Sequence, residues 1–201
     1  MTTPPPLDAW APWQPGELAQ RLRPFPSPWW IAGGWAIDLF LGEQTREHGD
    51  IEFGVARQHF PQLWALLDGL TCCGADGAVH PLPPGSTPPE RFRQIWVYEP
   101  GPDSWRTDIF LENVDGPLWR SHRDPRVTLP IEHVYARTPD GIPFLRPELA
   151  LFYKARRPRP KDEADFAVAA PRLDDAARAQ LIGWLRLVHD GHPWLNRLTR
   201  A

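Results

Sequence analysis

The sequence is poor in the residues on which several classes of protein depend. Only two of its 201 residues are cysteine, and these are adjacent, Cys72 and Cys73. A bridge between neighbours would close a strained ring, and two thiols supply neither a disulfide framework nor a four-ligand zinc site. Both are expected to be inert. No apolar run approaches the roughly 18 residues that suggest a membrane-spanning helix. The opening MTTPPPLDAW has neither the basic start nor the apolar stretch of a secretory signal. A soluble, cytoplasmic protein with no membrane partner is therefore expected. Positive charge is not in excess: 22 Lys and Arg stand against 25 Asp and Glu, a net charge of −3. Broad electrostatic binding of nucleic acid is not the default reading. The seven histidines show no H-x-H or H-x-x-x-H spacing that would suggest zinc.

What the chain does contain is enough to build a core, with 42% hydrophobic residues, 11 Trp among them. The 26 Pro and 15 Gly punctuate it without approaching the share typical of unstructured chains. Residues 1–28 read as a proline-rich arm with a short helix at Pro15 to Leu22. An α/β core is expected over 29–145 and a helical part over 146–201. Within the core, Trp29 to Ala32 reads as a strand, Gly33-Gly34 as a turn and Trp35 to Leu41 as a helix closed by Gly42. Asp50 to Val55 alternates polar with apolar as a half-buried strand does. Phe60, Leu63, Trp64 and Leu67 then mark a helical face. Residues 71–90, rich in Gly and Pro, are expected to be a mobile loop. Gln94 to Glu99 and Trp105 to Leu111 predict a hairpin, and Ile131 to Arg137 with Ile142 to Leu145 a second one, placed at a sheet edge by Pro143. Helices follow at Glu148 to Arg156, at Lys161 to Ala169 and around Leu181 to Val188. The fold class is α+β: a mixed sheet flanked by helices, with a helical C-terminal part.

Two features carry chemistry. Asp50 and Glu52 are two apart on the expected strand, so both carboxylates leave one face with Cα atoms about 6–7 Å apart. Such a pair suits a hard divalent cation, which takes oxygen ligands from carboxylates and substrate phosphates. Asp108, a charge inside the apolar strand RTDIFL, is the candidate third carboxylate. Upstream, Gly33 and Gly34 at the mouth of a helix offer backbone N–H groups to a phosphate. Trp96, Trp105 and Trp119 are candidates for lining a pocket near the Asp108 strand.

Read jointly, GGWAIDLFLG at 33–42 and TREHGDIE at 45–52 resemble the nucleotidyltransferase superfamily, and closely its aminoglycoside-2''-adenylyltransferase family. The likeness continues more loosely to Trp105 through Leu111, to Pro147-Glu148-Leu149 with Lys154, and to Lys161, Asp162, Asp165 and Phe166. It implies magnesium-dependent transfer of a nucleoside monophosphate, AMP from ATP, to a hydroxyl of a small acceptor such as an aminoglycoside. One or two Mg2+ ions would be held by Asp50 and Glu52, with Asp108 as third ligand or as general base. Gly33, Gly34 and Lys154 would take the phosphates. Arg46 and His48 join the nucleotide-binding set, although orientation of the Asp50 strand is the preferred role for them. Many family members have aspartate where this chain has Glu52. For a cationic acceptor, Glu99, Asp103, Glu112 and Asp115 are placed to make an acidic pocket. The rival readings keep the fold but put a protein in the acceptor's place, or leave a nucleotide-binding module without catalysis.

Overall fold

The computed structural model describes residues 5–199, so residues 1–4 of the proline-rich arm and 200–201 of the C-terminal part lie outside it. In chain order the elements are α1 (Pro15–Arg21), β1 (Trp29–Ile31), α2 (Gly33–Leu41), β2 (Glu52–Ala56), α3 (Phe60–Trp64), β3 (Thr71–Ala75), β4 (Val79–Pro81), β5 (Gln94–Glu99), β6 (Ser104–Asp115), β7 (Leu118–Arg120), β8 (Thr128–Pro130), β9 (Tyr135–Arg137), β10 (Pro143–Leu145), α4 (Pro147–Lys154), α5 (Pro160–Ala169), α6 (Asp175–Val188) and α7 (Pro193–Leu198). Single 3-10 turns lie at Arg57–His59, Ile131–His133 and Ala170–Arg172. The fold is the α+β arrangement expected.

The strands form one mixed sheet in the order β4-β3-β5-β6-β2-β1-β10-β9, with β7 and β8 continuing from β6. Alternation along the strands divides it into two faces, each with its own core. Ile31, Phe53, Val55, Ile95, Val97, Ile109 and Leu111 pack on one face with Phe60, Leu63 and the arm residues Trp13, Leu18, Leu22 and Phe25. Trp30 and Phe144 face the other way, into a core completed by Leu149, Phe152, Phe166, Leu181, Trp184 and Trp194 of the C-terminal helices. Asp108 and Glu112, which alternate with Ile109 and Leu111, leave β6 on this second, helix-covered face.

The arm is thus part of the structure. Trp13 is wholly buried in the first core, and the backbone runs alongside the start of β6 through Ala11 N–H to Trp105 O (3.1 Å) and Trp13 N–H to Arg106 O (3.1 Å).

Several local expectations are corrected. The supposed mobile loop at 71–90 contains the hairpin β3–β4, with β3 paired to β5. Its Gly74 is a packing residue, since a Cβ there would sit 2.5 Å from the Phe92 ring. Pro143 does not mark an edge. β10 lies between β1 and β9, and the proline occupies the first strand position, one residue short of the single Ile31–Phe144 register pair with β1. Strand β2 begins at Glu52, leaving Asp50 in the segment leading into it, and α2 begins at Gly33 itself. The helix after β2 ends at Trp64, before Leu67. Strands β7 and β8 and helix α7 were not foreseen. Cys72 and Cys73 are free and buried, and burial pushes their thiols up to about 12 and about 11, consistent with unreactive packing residues.

Truncation of Trp13 to alanine is expected to cost about 3–5 kcal/mol of unfolding free energy, the range for deleting a buried Trp. Urea denaturation followed by intrinsic fluorescence measures it; a loss below ~1 kcal/mol would contradict an integral role for the arm.

Candidate active site

The parallel pairing of β2 with β6 sets Glu52 directly beside Asp108. On its other side Asp108 faces Trp96 of β5, and Gln94 reaches across to donate to Asp108 Oδ2 at 2.6 Å. The opposite oxygen, Oδ1, is buried with no hydrogen-bond partner. Asp50 lies two residues before Glu52 in the segment that leads into β2, and its charge bears on both other carboxylates.

Gly33 completes this corner. Antiparallel pairing of β1 with β2 brings Ile31 opposite Phe53, and the next amide, of Ala32, donates to Glu52 O at 2.7 Å. Helix α2 therefore starts beside Glu52. Ala32 supplies no side-chain cap, which leaves the first-turn N–H groups without an intrahelical partner and the helix end positive. Gly33 has φ +63°, and a Cβ there would overlap the Glu52 carboxylate. Glycine is thus required both for backbone conformation and for space.

Gly34 serves a different contact. A Cβ on it would meet the Arg46 guanidinium and the His48 ring. The space above the two glycines, expected to be open to a phosphate, is filled by Glu52 on one and by Arg46 and His48 on the other.

Arg46 and His48 belong to a buried polar chain. Arg46 grips Asp165 of α5 in a fork, Nε to Oδ1 at 2.8 Å and Nη2 to Oδ2 at 3.0 Å. Its Nη1 lies 3.1 Å from His48 Nδ1. Guanidinium can only donate, so Nδ1 accepts and the proton sits on Nε2, 2.6 Å from Asp38 Oδ2. Asp38 also accepts from the Thr45 amide (3.1 Å) and hydroxyl (2.6 Å). The His48 ring stacks on Trp35, centroids 4.3 Å apart, and burial lowers its pKa, favouring the neutral form. Lys154, at the end of α4, sits between Asp165 (2.9 Å) and Asp162 (3.3 Å). Asp162 in turn holds Arg159 through Nε at 2.8 Å. Burial alone would raise the Asp165 carboxyl, but Arg46 and Lys154 hold it below its ordinary value. Asp162 and Asp165, matched in sequence as part of a helical element, are anchors of this chain, and only their distance in sequence from Arg46 hid the link.

The site therefore has an acidic side and a basic one. Glu52, Asp50 and Asp108 stand on the sheet side, and Lys154, Lys161 and Arg159 act on Glu52 from the helical side. Burial first, and repulsion from Asp50 second, push the Glu52 carboxyl up to about 7. Burial and then Glu52 and Asp50 raise Asp108 well above the carboxylate range. These residues fit a hard divalent cation: every donor is oxygen, one buried carboxylate oxygen is unpartnered, and the like charges want a positive partner. Among the described residues no three His, Cys, Asp or Glu stand close enough to form a closed metal cage, so phosphate oxygens would have to complete the ligand set.

Of the pocket candidates, Trp105 and Trp119 are wholly buried, while Trp96 is partly exposed beside Asp108. The acids expected to make an acidic pocket come together only in part: Glu112 and Asp115 line one cavity, in company with Arg57 and Arg120, while Glu99 pairs with Arg106 at 3.1 Å, Asp103 accepts from Tyr98 at 2.8 Å, and buried Glu112 also accepts from the Trp119 indole at 3.0 Å.

The chain has the fold of the nucleotidyltransferases: it superposes on the lincomycin-bound lincosamide antibiotic adenylyltransferase LnuA with TM-score 0.54 at 17% identity, over 75% of this chain and 90% of that one. The complex of ANT(2")-Ia with adenylyl-2"-tobramycin gives TM-score 0.55 at 14% identity, over 84% and 93%. More particularly, residues 16–77 match the aminoglycoside-2''-adenylyltransferase family model. Over 43 residues, 21% of this chain, the sequence is 44% identical to the 2''-aminoglycoside nucleotidyltransferases of Escherichia coli and Klebsiella pneumoniae. Over 55 residues, 27% of the chain, it is 34% identical to the lincosamide resistance protein of Staphylococcus haemolyticus. These alignments span 24% and 32% of the relatives' lengths. Among the described residues no helix is long and apolar enough to cross a membrane.

A folded carboxyl held near 7 keeps a proton that the unfolded chain releases near 4.5, so it stabilises at low pH and loses that contribution as pH rises through about 7. Buried histidines such as His48 act in the opposite sense, which makes the variant difference the clean readout. The stability of Glu52→Gln relative to wild type is expected to increase between pH 4.5 and 7.5 in thermal melts without metal. A difference independent of pH would contradict the raised carboxyl.

Proposed function

We propose that the chain is a magnesium-dependent nucleotidyltransferase that moves a nucleoside monophosphate, AMP from ATP, to a hydroxyl of a small acceptor. The observation that carries the reading is the pairing of Glu52 with Asp108 beside the N-terminal end of α2, with the charges of Asp50 on one side and of Lys154, Arg159 and Lys161 on the other acting on Glu52. The family match over residues 16–77 and the antibiotic-modifying neighbours support it.

In this mechanism Asp50 and Glu52 would hold the cation, with Asp108 as third ligand or general base. Bound there, magnesium would neutralise charge on the triphosphate and on the carboxylates. The chain's own groups supply the rest. The free amides at the start of α2 receive a phosphate at the positive helix end, which requires Glu52 to turn from its place over Gly33. Lys161 and Arg159 add positive charge from the opposite side, while Lys154 divides its own between the site and its two aspartates. Asp108, beside Glu52 on the paired strand, would take the acceptor's hydroxyl proton in the general-base role. The acceptor oxygen attacks the α-phosphorus, the bond from that phosphorus to the bridging oxygen breaks, and pyrophosphate leaves. Positioning and charge account for catalysis without a covalent enzyme intermediate. Arg46 and His48 act as positioning residues: they hold α2, the segment before β2, and α5 in one arrangement.

Incubation with ATP, magnesium and a panel of aminoglycosides, lincosamides and simple sugar derivatives should release pyrophosphate only when a suitable acceptor is present. Asp50→Ala and Asp108→Asn should lower the rate by at least about a hundredfold, the scale of losing a general base or comparable electrostatic group. Magnesium-independent release, or release undiminished in both variants, would overturn the assignment.

A further inference from the structure

Four residues beyond Asp108, on the same face of β6, Glu112 turns inward, and the surface above it is positive. Glu112 is 5% exposed; it accepts from the Trp119 indole, and burial pushes it up to about 7, so it supplies at most a partial charge at neutral pH. Trp119 meets Tyr153 of α4 edge-on at 6.5 Å, and the Arg123 guanidinium lies over the Tyr153 ring at 5.5 Å. Three exposed arginines gather here. Burial and then the positive charges of Arg156 and Arg93 lower the Arg123 pKa, and Arg123 and Arg156 bear likewise on His189.

None of Arg93, Arg123 and Arg156 joins an ion pair among the described residues. Two polar atoms at the same place also have no hydrogen-bond partner: the Tyr153 hydroxyl and His189 Nε2, both buried. Like charges held together beside unpartnered hydrogen-bonding groups favour an anionic partner. Asp124, next to Arg123 in the chain, is taken by Arg126 at 2.7 Å, and Glu90 acts on Arg57.

We propose that this cluster reads the acceptor, and that the acceptor carries an anionic group, a carboxylate or a phosphate, held by Arg93, Arg123 and Arg156 beside Tyr153. The inference rests on the transferase reading for the position of the modified hydroxyl, at Asp108. Asp108 and Glu112 are four residues apart on one strand, about 13 Å between Cα atoms, a span that a phosphorylated or carboxylated sugar covers with the help of long arginine side chains. Guanidinium forks suit the planar oxygen pairs of these groups. A polycationic acceptor would meet three like charges here, which makes this cluster unlike a site built for an aminoglycoside. The same chemistry would also suit the triphosphate or released pyrophosphate, so the test separates the two sources.

With the full chain saturated by magnesium and an ATP analogue blocked at the α–β bridge, calorimetry is run against glucose, glucosamine, glucuronate and glucose 6-phosphate. The anionic sugars should bind at least about tenfold more tightly than the neutral and cationic ones, and Arg123→Gln/Arg156→Gln should abolish that preference. In the turnover assay the same double variant should raise acceptor KM about tenfold while ATP KM stays within about twofold. Equal or tighter binding of glucosamine, or no binding of either anionic sugar, would overturn the proposal. A rise in ATP KM with acceptor KM unchanged would assign the cluster to the nucleotide and overturn it as well. Anion-selective binding that disappears in the double variant, together with no pyrophosphate release from any acceptor, would leave the anion site standing and count against the transferase reading alone.

Discussion

Parallel pairing of β2 with β6 puts two carboxylates shoulder to shoulder, and nearly every feature of the site is arranged around that contact. Glu52 and Asp108 come from strands 56 residues apart in the chain, and their register sets both acids on the helix-covered face while Phe53 and Ile109 fill the opposite core. A one-residue slip would send Asp108 into that core. The register is held from both sides. Asp108 N–H and Thr107 Oγ1 both donate to Ile51 O, each at 2.9 Å, and β1 ties the other edge of β2 through Ala32 N–H to Glu52 O. Placing like charges side by side is costly where water is largely excluded: burial and then Glu52 raise the Asp108 carboxyl, and burial and then Asp50 raise that of Glu52.

The second constraint is the buried chain from Asp38 through His48, Arg46, Asp165 and Lys154 to Asp162. Buried ion pairs contribute little net stability after desolvation, but removing one partner strands the others. Its consequence here is geometric. It fastens the start of α5 and the end of α4 to the segment before β2, and so fixes the separation between the acidic and basic sides. Gly34 is glycine because that chain passes against it. The GG pair thus serves two ends: Gly33 leaves room for Glu52, and Gly34 for the Arg46–His48 clasp.

Much of this was legible in the chain, for identifiable reasons. Asp50, Glu52 and Asp108 stood out because a charge inside an apolar strand demands an explanation, and the strand period placed the first two on one face before any pairing was known. The helix after Gly33 followed from local pattern. What failed were inferences that needed a partner. Gly74 and its neighbours looked like loop because the Phe92 ring that covers Gly74 lies in another segment. Pro143 suggested an edge because nothing local shows that the pairing of β10 with β1 is confined to Phe144. Asp165 could not be linked to Arg46, 119 residues earlier. The acidic pocket formed only in part for the same reason: Glu99 and Asp103 are satisfied by Arg106 and Tyr98 across their own hairpin, and Glu112 and Asp115 share their cavity with Arg57 and Arg120.

The central claim is that three mutually repelling carboxylates wait for a cation and a phosphate. Its most direct test is carboxyl carbon NMR of Glu52, assigned by comparison with Glu52→Gln, titrated with and without magnesium and a non-reactive ATP analogue. In the free protein the group should titrate at about 7. In the ternary complex the transition should move well below that, into or under the ordinary carboxylate range, because the cation favours the charged form that burial and Asp50 oppose. A Glu52 transition that stays at about 7 while the nucleotide is demonstrably bound would contradict the account.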